Sequence, residues 1–242
     1  MKKLGFTLAE VLITLGIVGV VAALTTPALV KNTGTAKIGP ALSKFVNSWE
    51  TACEQLMTDE SLETLSALPH QANSDGSGSE KTVLNPVSKY LVMSPTDKDF
   101  IAVYEHNSGA VAPNQVQNKK AWQLKDGSTL AFDLNQDTDD YYEPKDAYKG
   151  WYGKVYFDIN GFAGNNVIGK EVFKFEVDKT GVLVPYGSHA WANLLSTDRK
   201  RCSLSGDTGN AWGCTGEIAD NNWNAKGVYT KWSEETQQTQ NP

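Results

Sequence analysis

Residues 5–27 read GFTLAEVLITLGIVGVVAALTTP and follow a basic leader, Met1-Lys2-Lys3-Leu4. From Phe6 to Thr26 the run holds twenty-one residues and a single ionisable side chain, Glu10. At 1.5 Å per residue such a helix is about 30 Å long, the thickness of a bilayer core. The pattern predicts a membrane helix over 6–26. Lys2 and Lys3 on the short flank hold that end in the cytoplasm, so the rest of the chain is expected to be exported. Gly16 and Gly19 are three apart and fall close together on one helix face, where small residues permit close helix approach.

Beyond the span, Pro27 lacks a backbone donor and is expected to kink or locally melt the helix. Gly34 and Gly39-Pro40 are further weak points. Helical periodicity then returns: Leu42, Phe45, Val46, Trp49, Ala52, Cys53, Leu56 and Met57 recur at three- and four-residue steps. This predicts a kinked amphipathic helix within residues 27–67, packing one face on a sheet.

Residues 68–242 read as one globular head. Pro69–Thr82 is a polar, Gly/Ser-rich loop. Asn85-Pro86 looks like a cap and first helical residue, predicting a short helix over 86–92. Trp122–Leu134 reads as a β-hairpin about a two-residue turn, Asp126-Gly127. Further strands are expected at 153–159, 172–178 and 182–186, the last two linked through Asp178–Gly181. Antiparallel strands on an N-terminal helix make an α+β fold. The whole chain has 242 residues, 40% hydrophobic and 21% charged, which excludes a wholly disordered or multi-span protein. A net charge of −6 without a basic block argues against nucleic acid as a partner.

The junction Gly5-Phe6-Thr7-Leu8-Ala9-Glu10 resembles the processing site of type IV prepilins and pseudopilins. The resemblance is close over about the first thirty residues and architectural beyond Pro27. It implies that prepilin peptidase removes residues 1–5 by cutting after Gly5 and methylates the new amine of Phe6. It places the family's assembly glutamate at Glu10 and its helix-kinking proline at Pro27. It implies a subunit anchored in the inner membrane by residues 6–26, which passes through an assembly platform into a filament of identical or related subunits. That filament is an extracellular pilus or, in the runner-up reading, the periplasmic pseudopilus of type II secretion. A rival class is an exported binding or hydrolytic domain behind a plain signal peptide or anchor, with cleavage near Thr25–Ala28 or none, and no use for Glu10.

Glu10 fits the first class on physical grounds. A carboxylate in hydrocarbon costs at least ~2.5 kcal/mol. Cleavage creates a positive α-amine at Phe6 that can offset this charge across two subunits. Many pilin heads also carry a disulfide-closed loop near the C-terminus. Cys202 and Cys214 enclose eleven residues in an exported compartment, so resemblance and chemistry together imply a bond between them. Closing that loop is worth roughly 2–3 kcal/mol. Cys53, on the apolar helix face, is expected to be a free buried thiol.

No catalytic signature is present. His70, His106 and His189 lie in unrelated polar surroundings, and the sequence holds no HExxH, P-loop, GxGxxG or GxSxG. The expectation is therefore a structural protein with no cofactor. Two acidic stretches offer calcium-type oxygens: Asp133, Asn135 and Asp137, and Asp158 with Asn160, followed by Asn165, Asn166 and Glu171. The first lacks the glycine and terminal glutamate of an EF-hand loop, and a solvated turn is the plainer reading of each. The C-terminal tryptophans Trp191, Trp212, Trp223 and Trp232 are expected to fill core more than to form an adhesive surface.

Overall fold

The computed structural model describes residues 8–69, 81–105, 111–113, 116, 119–134, 151–164, 166–195, 202–203 and 210–229. It has an α+β architecture organised along one helix, α1, Leu8–Asp59, of 52 residues. The helix assignment is continuous through Pro27, Gly34, Gly39 and Pro40, so the chain does not melt locally at Pro27. A proline costs one ladder hydrogen bond, and the flanking turns of so long a helix carry that loss.

The helix stops at Asp59, eight residues short of the expected end, through a Schellman motif. The Ser61 amide donates to the Thr58 carbonyl at 3.3 Å and the Leu62 amide to the Met57 carbonyl at 2.8 Å. Ser61 takes the left-handed position with φ 54°. Met57 and Leu62 both pack on the core, giving the apolar contact that accompanies this motif. Leu65–Ala67 then form a separate 3-10 turn.

Helix α2, Lys81–Val87, lies earlier than the expected 86–92 and contains Pro86. Burial explains the shift: Thr82, Val83, Leu84 and Val87 face inward at helical spacing. Residues 88–92 continue as turns, with the Val87 carbonyl accepting the amides of both Tyr90 and Leu91.

Six antiparallel strands form the main sheet: β1 Met93–Asp99, β4 Lys120–Leu124, β5 Thr129–Leu134, β6 Trp151–Asp158, β7 Val172–Asp178 and β8 Leu183–Pro185, adjacent in that order. Strands β2 Val103–Glu105 and β3 Val111–Pro113 pair separately. The β4–β5 hairpin has a three-residue connection, because the Leu124 amide bonds the Ser128 carbonyl at 2.9 Å. Gly127, at φ 92°, occupies its third position. The β7–β8 connection repeats this form, with Gly181 at φ 85° and the Asp178 amide on the Val182 carbonyl. Only glycine takes such a position without strain, which is why Asp-Gly here closes a bulged hairpin.

One face of the sheet packs on α1. Phe45 stacks on Phe157 with centroids 4.0 Å apart, and Trp49 stacks on Phe132 at 6.1 Å. Trp49 is fully buried and donates its indole hydrogen to the Gly181 carbonyl at 3.0 Å. Glu50 accepts the Leu183 amide at 3.1 Å, tying α1 to the edge strand β8.

The other face is also covered. Helices α3 His189–Leu195 and α4 Cys214–Asp220 lie against β7 and β8, and Phe100, Ala131, Ile168, Val172 and Trp212 form a second apolar cluster. Strand β7 is therefore buried on both sides. Lys174 and Glu176 are interior. Their ion pair spans 3.2 Å, and the Lys174 ammonium sits 3.9 Å from the Tyr186 ring centroid. Burial pushes the Lys174 pKa down, and the Glu176 charge opposes that shift.

Candidate assembly segment and head loops

The first half of α1 differs from every other described element. From Leu8 to Val21 each residue is exposed, and nine of them are Leu, Val or Ile. Leu8 is 79% exposed, and a Cβ added at Gly16 or Gly19 would meet nothing within 4 Å. Residues at i, i+1, i+3 and i+4 are all apolar, so no face of this segment is polar enough to remain in water. Thr14 turns its hydroxyl back to the carbonyls of Glu10 and Val11, both at 2.9 Å, hiding its own polarity against the helix. Glu10 is thus the one ionisable group on an otherwise apolar rod.

Gly5 and Phe6 lie outside the described residues, so the predicted cut site and its pairing with Glu10 have no geometry here. Among the described residues no helix is long and apolar enough to cross a membrane. The expected span over 6–26 lies only partly within the residues whose side chains are described, 8–21.

The second half of α1 seats the head. Ile38, Leu42, Phe45, Trp49, Ala52, Cys53 and Leu56 are buried on one face. Gly39 lets the C-terminal chain cross the helix closely: a Cβ there would overlap the Trp223 carbonyl. Cys53 is free and buried, with its thiol pushed up to about 12, chiefly by burial. Cys202 and Cys214 form a disulfide that tethers residue 202 to the start of α4.

The other candidate positions separate. Asp133 is held by Lys119 at 2.6 Å, while Asn135 and Asp137 lie outside the described residues. Asp158 and Asn160 come together at the end of β6, where the Asn160 amide donates to Asp158 Oδ1 at 3.1 Å. Among the described residues no group of three or more His, Cys, Asp or Glu side chains is placed to hold a metal ion. His189 pairs with Asp220 at 2.8 Å, joining α3 to α4; His70 and His106 are outside the described residues. Trp191 and Trp212 are buried, and Trp223 packs against the main core; Trp232 is outside the described residues. Sequence reasoning missed β1, as it did β2, β3, α3 and α4. MSPTDKD has no apolar alternation, and its exposed edge position requires none.

Compared with known proteins, the chain matches the family model of the prokaryotic N-terminal methylation motif over residues 1–26. That motif is the signature of type IV pilins and pseudopilins, and this chain carries it. No curated protein and no solved structure matches the chain. The signature supports a pilin-like or pseudopilin precursor and implies processing by prepilin peptidase and assembly with other pilin subunits. It likewise suggests a membrane-anchored precursor and a later filament at the surface or in the periplasm.

Proposed function

We propose that the chain is a structural subunit of a bacterial type IV pilus-like filament. Its leader is cut between Gly5 and Phe6, the amine of Phe6 is methylated, and residues 6–26 anchor it in the inner membrane before assembly. Its role is assembly, not catalysis. The observation that carries this reading is the exposed apolar rod Leu8–Val21 lying directly behind a prepilin-type junction. Nine large apolar side chains without cover require lipid or neighbouring helices, and a filament core supplies the second after the bilayer has supplied the first.

Glu10 sets the register. Phe6 and Glu10 are four residues apart, so two subunits staggered by about one helical turn, roughly 5 Å, bring one amine to the other carboxylate. Each charge alone is costly in a dry bundle and each offsets the other when paired. Glu10→Ala should leave insertion, cleavage and head folding intact while lowering the processed subunit recovered in sheared filaments at least tenfold. Intact-mass analysis should show a methylated Phe6 N-terminus. Undiminished incorporation of Glu10→Ala, or an N-terminus near residue 28, overturns the reading. Recovery of the subunit only in short periplasmic fibres, with loss of protein secretion on deletion, would assign it to the secretion pseudopilins instead.

A further inference from the structure

The chain after α4 crosses from one face of the sheet to the other. Helix α4 lies on the second face, where Thr215 accepts the Lys174 amide and the Gly216 amide donates to the Tyr186 carbonyl at 3.0 Å. Residues 221–223 then turn, 225–229 are helical, and Ala225 and Val228 enter the core that includes Ile38 and Leu42 of α1. Asn224 caps this last helical stretch, its Oδ1 accepting the Gly227 amide at 3.1 Å. The far end is held by the Tyr229 hydroxyl, which donates to the Gly169 carbonyl. Where the segment passes α1 it does so at Gly39, and the Trp223 carbonyl fills the space that a side chain there would take.

The crossing is made under strain. Asn222 and Trp223 are both in the left-handed region, at φ 53° and 58°. Asparagine tolerates that region, whereas a bulky aromatic residue in it is an outlier. Glycine at 223 would remove the strain but also the indole, which packs against the main core. A strained backbone persists only where its surroundings over-determine it. The other side of the contact is equally unusual. Gly39-Pro40 lies inside α1, glycine with a poor helix propensity and proline without a ladder donor, and the helix is unbroken there. The dipeptide most apt to interrupt the helix is the one beneath the strained crossing.

We propose that residues 221–229 form a strap that locks α1 at Gly39, and that lifting it frees Gly39-Pro40 to act as a hinge between the head and the exposed half of the helix. Opening relaxes Asn222 and Trp223 and uncovers Ile38 and Leu42, so strain favours release and apolar burial opposes it. Two opposing terms at one contact make the strap an element with two positions, and a hinge needs only a few residues that absorb a change in backbone angle. The lock acts on this joint alone, because Trp49 and Glu50, further along α1, have their own bonds to Gly181 and Leu183. This proposal is independent of the filament reading.

The test is amide hydrogen exchange on the full-length chain in detergent, comparing the amides of residues 37–42 with those of β7, which report on the head as a whole. Gly39→Ala puts a methyl group on the Trp223 carbonyl and should displace the strap. Exchange at 37–42 should then speed at least tenfold, with β7 unchanged. Helix propensity alone predicts the opposite sign, since alanine stabilises a helix interior relative to glycine. Trp223→Ala removes the indole anchor and should give the same local acceleration. Asn222 is exposed, so Asn222→Ala deepens the left-handed strain without touching the core and should speed exchange at 37–42 severalfold, whereas Asn222→Gly should not. If Gly39→Ala fails to fold, the Asn222 pair decides on the same readouts. Unchanged or slower exchange at 37–42 in Gly39→Ala, or identical exchange there in the two Asn222 variants, overturns the proposal. So does equal acceleration at 37–42 and in β7, since the segment is then ordinary core with no joint of its own.

Discussion

The two halves of α1 share one backbone and are both rich in Leu, Val and Ile or aromatic residues, yet they solve the problem of apolar surface in opposite ways. Between Ile38 and Leu56 the apolar positions keep to one stripe, and polar residues such as Lys44, Asn47 and Glu54 occupy the outside. That half is satisfied within its own chain, by the sheet. Between Leu8 and Val21 apolar residues surround the axis, and each of them is exposed. A stripe can be buried by one domain; a fully apolar cylinder requires an apolar solvent or several partners. The periodicity of the hydrophobic residues, more than their number, divides the helix into a part that folds and a part that assembles.

The sharpest way to break this comparison is a matched pair of truncations. Trp49→Ala removes the ring stacked on Phe132 and the indole bond to Gly181. It should destabilise the head by about 3–5 kcal/mol in denaturant unfolding. Leu12→Ala, in the exposed half, should move the same transition by less than about 0.5 kcal/mol. Equal effects would mean that the first half packs on the head after all.

Reducing the Cys202–Cys214 bridge, or replacing both cysteines by serine, should cost roughly 2–3 kcal/mol and show as a lowered Tm. The glycines sharpen the contrast next. At Gly181 a Cβ would lie 2.6 Å from that of Cys53, in a backbone region strained for alanine. Gly181→Ala should therefore cost about 1–3 kcal/mol. Gly16→Ala meets open space and should leave head stability unchanged, its effect confined to filament yield.

Two smaller effects remain. The Cys53 thiol titrates near 9 when unfolded and near 12 when folded. A raised folded pKa means that its contribution is complete below about pH 9 and is lost as the pH climbs toward 12. In that window stability should fall by at most ~1.4 kcal/mol per pH unit from this group. Tyr152 is also pushed up to about 12 by burial, so the thiol's share is the difference between wild type and Cys53→Ala across that range. Below pH 9 the folded protein should resist alkylation at Cys53. Last, the ion pair of Lys44 with Asp126 is exposed on both sides. A double-mutant cycle on it should return less than about 1 kcal/mol.

Several features were legible in the chain because their causes are local. Residues 172–178 form a strand with the predicted bounds, since Phe173, Phe175 and Val177 recur at strand spacing in a stretch of aromatic and β-branched residues. The turn after Asp178 was legible for a similar reason. Asp178 Oδ1 accepts the amides of Thr180 and Val182 a few residues away, and Gly181 supplies the one left-handed position. By contrast, β1 is a strand only because β4 lies beside it, and α2 is positioned by what its Val83 and Leu84 pack against. The short hydrophobic patterns of those segments suit several conformations equally.

The N-terminal signature was determined by sequence alone, because a processing site and a membrane-length apolar run are properties of contiguous residues. The residues ahead of Glu10 carry that meaning without any fold around them. The chemistry of the head was decided by tertiary structure. Lys174 and Glu176 alternate with phenylalanine and valine as a solvated face would, and they are interior only because Thr215, forty-one positions away, brings α4 over them and accepts the Lys174 amide at 3.0 Å. Asp158 likewise reads as an ordinary turn residue until the sheet, Thr129 and the returning loop at Glu171 remove it from water. Burial is a sum over distant neighbours, and a charge acquires its cost, its partner and its use only when that sum is made.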